Sequence, residues 1–114
     1  MRSRAARPVA QLCYIRPMRS VELTADAVRQ FKRLPKPARP LIKEALHRQL
    51  ILDDPARVTR NKFRLRRASE YADYELRVEG WRVFYRIEAD RSVVTLIGEK
   101  RGNRLIVEGE ALEL

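Results

Sequence analysis

The stretch Tyr74–Ile87, YELRVEGWRVFYRI, constrains the fold more tightly than any other part of the chain. Two runs rich in Tyr, Leu, Val, Trp and Phe flank Glu79-Gly80, a two-residue connection with a glycine available for a positive φ, which is the signature of a tight β-hairpin. A two-residue turn fixes the register. Val78 then faces Trp81, Leu76 faces Val83 and Tyr74 faces Tyr85, so one face is wholly apolar or aromatic. The other face pairs Glu75 with Phe84 and Arg77 with Arg82. Like charges directly opposite destabilise a sheet, so this pair points to an anion between the two guanidinium groups, unless solvent and Glu75 suffice to screen them.

The remaining segments build around that hairpin. Val21 and Leu23 alternate with polar residues as in a short half-buried strand. Thr24 is placed to cap a helix carrying Ala27, Val28, Phe31 and Leu34 at helical spacing, with Asp26 in its first turn. Pro35 and Pro37 stop it. A second helix starts within Ala38–Pro40, presents Leu41, Ile42, Ala45, Leu46 and Leu50 or Leu52, and ends at Asp53–Pro55. Phe63 and Leu65 then alternate with Lys62, Arg64 and Arg66. Val93–Ile97 is a strongly β-prone run, and Leu105–Val107 offers a short final strand. The order β-α-α-β-β-β predicts an α+β domain, an N-terminal helical hairpin packed on a small antiparallel sheet.

Length allows a single domain. Residues 1–17 carry four arginines, no acid and no clear period, and a second methionine follows at Met18. They read as a basic, flexible arm or an upstream start, with the domain over 18–114. The net charge of +10 favours nucleic acid, an anionic surface or an acidic protein partner. The single cysteine, Cys13, excludes an intramolecular disulfide and zinc-finger spacing, so a cytoplasmic setting is expected. No metal-ligand cluster, Ser/His/Asp set or phosphate-cradling loop is present, so no cofactor and no metal are expected. No apolar run reaches membrane-span length. The only histidine, His47, reads as a solvated helical residue, and Trp81 and Tyr85 as core.

Registers estimated across the loops gather the cations. Pairing around the 67–73 loop places Lys62 near Arg77, and pairing around the 88–92 turn places Gly98 near Arg82. Lys100 and Arg101 emerge at the same end, with Arg64 and Arg66 further along the face. A one-residue slip would undo this, because side chains change face at every step.

NKFRL (61–65), YELRVEGWRVFYRI (74–87) and VVTLIGEKRGN (93–103), in this order of elements, resemble the RelE/ParE superfamily of toxins of type II toxin–antitoxin modules, over roughly Met18–Val107. The resemblance to its RelE branch implies a ribosome-dependent mRNA endonuclease that inhibits translation, with a cognate antitoxin, the ribosome and mRNA as partners, and operator DNA only as a toxin–antitoxin complex. It implies catalytic roles for Arg77, Arg101 and Lys62 and an RNA contact from Arg64, to which the estimated registers add Arg66, Arg82 and Lys100 as RNA contacts on the same basic face. Guanidinium groups suit a crowded phosphorane, whereas the base is open among Lys62, Glu75 and Glu99. The branch's C-terminal tyrosine is replaced by Val107, and Tyr71 is the free aromatic nearest the basic corner. Two alternatives stand beside the nuclease: a ParE-like inhibitor of DNA gyrase without nuclease activity, and a degenerate basic module that binds RNA or antitoxin without catalysis.

Overall fold

The computed structural model describes residues 19–66 and 72–112. The arm 1–17 with its Cys13, and Tyr71, lie outside the described residues. The elements run β1 (Ser20–Leu23), α1 (Ala25–Lys32), α2 (Ala38–Leu46), β2 (Lys62–Arg64), β3 (Tyr74–Val78), β4 (Trp81–Glu88), β5 (Arg91–Arg101), β6 (Arg104–Val107) and β7 (Glu110–Leu112). Strands β2 to β7 form an antiparallel path in sequence order, and β1 adds to β5 in parallel. Both helices lie on one face, so the α+β reading holds, with one parallel strand and a C-terminal β6–β7 hairpin beyond it.

The β3–β4 hairpin has the register set out above, pair for pair. Its turn differs in one respect. Glu79 takes the left-handed φ of 54°, and Gly80 does not lie in that region. Strand β5 is long enough to serve two neighbours on one edge, β1 along its start and β6 along its end. In the gap between them, the Ile97 N–H donates to the side chain of buried Gln30 on α1 at 2.8 Å. A bulge between Phe84 and Tyr85 inserts one extra residue on β5, while Arg82 still faces Gly98.

Helix α1 begins as its sequence demands, with Ala27 N–H donating to Thr24 Oγ1 at 3.2 Å. The turn into α2 is tied by the Arg39 guanidinium, which donates to the carbonyls of Lys32 and Leu34. These are orphan acceptors at the end of α1 that would otherwise need water. Helix α2 leaves its α-geometry at His47–Ile51, a single π-turn in which Leu52 N–H reaches His47 O at 3.0 Å. The core between helices and sheet holds Ala27, Ile42, Ala45, Leu50, Leu76, Val83, Tyr85, Val94 and Ile97, with each large apolar side chain contributing roughly 1.5–3 kcal/mol by burial. Two expected core residues, Val28 and Leu41, stay exposed, as does Leu52. Short helices present only a narrow stripe, and Gln30 takes the inward position beside Ala27.

Candidate functional surface

Arg77 and Arg82 lie opposite each other on the sheet face away from the helices. The anion between them is the chain's own Glu75. Its carboxylate stands 3.4 Å from Arg77 Nε and 3.5 Å from Arg82 Nε, and its side chain is only 11% exposed. Arg82 is itself largely buried, and donates to the carbonyls of Glu79 and Trp81 at 2.8 Å each. Burial lowers its pKa from the usual value, and the positive charge of Arg77 lowers it further. Arg77 is more open, and its guanidinium sits 4.8 Å from the centre of the Phe63 ring, a cation–π contact. Lys100 emerges, exposed, at the end of the same face, its N–H donating to Gly80 O.

The other expected members stand elsewhere. Lys62 pairs with Leu76 rather than beside Arg77, a slip of one residue that turns its side chain to the helix face. There it is completely buried. Its ammonium donates to Gln49 O at 2.8 Å, Asp54 O at 2.9 Å and Asp53 Oδ2 at 3.0 Å. All three N–H bonds are used, closing the end of the π-turn and its following loop. That donation is also the main reason Asp53 is held below the usual carboxylate range. Arg64 shares the Lys62 side of β2 and lies over Tyr74, 5.9 Å from its ring centre. Arg66 is exposed in the bend after β2.

Arg101 pairs with Arg104 on β6 and is bound to Glu99 at 2.9 Å. It lines a groove of about 660 Å³ between the end of α1 and the sheet, together with Arg33, Leu34, Trp81, Glu99 and Glu108. It therefore belongs to the helix side, away from Arg77 and Arg82. Val107 is buried with Phe84, Leu105 and Ala72 in a second small core on the open face. Of the candidate bases, Glu75 is held between two arginines and Glu99 is paired with Arg101 on the opposite side. Among the described residues no group of three His, Cys, Asp or Glu side chains converges to hold a metal.

Glu75 and Glu99, expected as a screen and as candidate bases, are the acids that neutralise Arg77, Arg82 and Arg101: Glu75 is two residues from Arg77 on one strand, and Glu99 two from Arg101, so each pair shares a face. The acids that sequence reasoning missed are Asp53, the partner of Lys62, and Glu108, the partner of Arg29 and Arg33.

A helical hairpin on one face of a small, mostly antiparallel sheet, lettered in this order, is the architecture of the RelE/ParE superfamily. Residues 21–102 match the family described as ParE toxin of type II toxin-antitoxin system, parDE, and the chain belongs to that family. Membership implies an antitoxin partner. Neither the comparison with curated proteins nor that with solved structures finds a match. No helix among the described residues is long and apolar enough to cross a membrane.

Proposed function

We propose that this toxin arrests growth by binding DNA gyrase, without cutting RNA. The observation that carries the reading is the position of Lys62, buried and fully hydrogen-bonded to Gln49, Asp53 and Asp54. A general base must come within hydrogen-bond reach of the proton it removes. Lys62 has neither the access nor a free lone pair for that task. With Arg101 on the helix side and Glu75 engaged by both arginines, the open face holds, among the described residues, phosphate-binding groups but no free partner that moves a proton. Such a surface suits recognition of a protein or polyanion better than in-line attack by a 2′-hydroxyl.

The test is ATP-dependent supercoiling of relaxed plasmid by purified gyrase with increasing full-length toxin. Loss of supercoiling at toxin concentrations near that of gyrase supports the reading. Undiminished supercoiling at a large excess of folded toxin removes it and returns the ribosome to first place as the target.

A further inference from the structure

The positive charge of the domain sits in the helical hairpin rather than on the sheet. Residues 27–43 contain Arg29, Lys32, Arg33, Lys36, Arg39 and Lys43 and no acid, whereas residues 18–26 and 44–114 carry net charges of only −1 and +1. Arg29 and Arg33 are taken up by Glu108, at 2.9 and 3.5 Å. Lys32, Lys36, Arg39 and Lys43 have no carboxylate within ion-pair distance among the described residues. Lys36 stands in the turn before α2, Arg39 and Lys43 follow in the helix at a spacing of four, and Lys36 and Lys43 are exposed. Lys100 and Arg104 emerge from the sheet at the same end of the molecule, where Arg29 and Gln30 of α1 reach Glu108 and Ile97.

We infer that the turn of the helical hairpin, Lys32 to Lys43, is a polyanion-binding surface whose ligand is the phosphate backbone of duplex DNA. The choice of DNA rests on the gyrase reading, since gyrase works with duplex bound. Composition supports phosphate over an acidic protein. Three of the four unpaired cations are lysines, which protein interfaces deplete and phosphate contacts use freely. The exposed prolines Pro35, Pro37 and Pro40 hold the turn rigid at little entropic cost. The surface contributes affinity without sequence preference and brings the toxin to the DNA on which its target acts.

The experiment is fluorescence anisotropy of a labelled 20-bp duplex with full-length toxin across a salt series, without gyrase. The triple variant Lys32→Gln/Lys36→Gln/Lys43→Gln is compared with Arg57→Gln/Arg60→Gln/Arg91→Gln, which removes the same charge outside the helical hairpin, from the loop before β2 and the start of β5. Each lost phosphate contact lowers the slope of log affinity against log salt by about 0.9. The hairpin triple is therefore expected to lose about 2–3 from the slope, and the control triple less than about 1. Equal losses in both triples overturn the inference, as does an unchanged slope in the hairpin triple. Tighter binding of the wild type to an RNA duplex or to polyglutamate of the same charge also overturns it. Because gyrase is absent, failure here leaves the supercoiling result untouched, and failure of supercoiling inhibition with DNA binding intact removes only the gyrase reading.

Discussion

Lys62 and Arg77 are cations on neighbouring strands, yet one residue of register sends them to opposite sides of the sheet. The buried one is a structural strut. Replacing it by methionine keeps the volume but leaves the carbonyls of Gln49 and Asp54 without their donor and Asp53 without its partner. Lys62→Met is expected to lose about 3 kcal/mol in urea unfolding, while Arg77→Ala, half-exposed, is expected to lose less than about 1 kcal/mol. Equal, small losses would show that the ammonium is dispensable for stability. The register of β3 against β4 was legible because a two-residue turn admits a single pairing. That of β2 was not, because the connecting loop is long and its length does not fix the alignment. The pairing of the two arginines was legible too, but its reading as an empty anion site gave too little weight to Glu75 on the same face.

At the scale of elements, two contacts hold the helix layer and the C-terminal hairpin on β5. Gln30 supplies the acceptor that a missing strand would have given to Ile97. Gln30→Ala is expected to cost about 1–3 kcal/mol, the penalty for a buried N–H left unpaired, measurable by thermal unfolding. On the other side, Gly98 allows β6 to cross closely. A Cβ there would meet Ile106 O at 2.8 Å and a Val107 methyl at 2.9 Å. Backbone cannot yield as a side-chain tip can, so Gly98→Ala is expected to destabilise by about 1–3 kcal/mol. Gly80, with open space around its Cβ position, is the control that should tolerate alanine. The sequence placed Gly98 beside Arg82 and offered a short strand at Leu105–Val107, but not the close packing of that strand against Gly98. That crossing depends on a hairpin whose turn, at Glu108-Gly109, is built on two left-handed residues.

Over the whole molecule, the sum of charges was visible from composition, whereas their distribution only gained meaning once the fold separated the helical hairpin from the sheet. Many of the cations are neutralised by neighbouring acids, and three of those acids respond to pH together. Asp53, Glu88 and Glu108 all have pKa values lowered from the usual value, chiefly by donation from Lys62, Arg86 and Arg29 respectively. Groups with depressed folded-state pKa values stabilise above the ordinary carboxylate range, and that stabilisation is lost as pH falls through it. The Tm is therefore expected to be flat near neutrality and to fall below about pH 4. Glu108→Gln should make that fall shallower, and an unaltered profile would deny the clasp between α1 and the β6–β7 turn its role.

The buried Lys62 and the neutralised open face carry the proposal that this toxin binds rather than cuts. Primer extension on a reporter message, in a cell-free translation reaction given the full-length protein, tests that most directly. No new 5′ ends in register with codons are expected, and translation should be undiminished. Codon-registered ends that appear only with ribosomes, and vanish in Arg77→Ala, would contradict it.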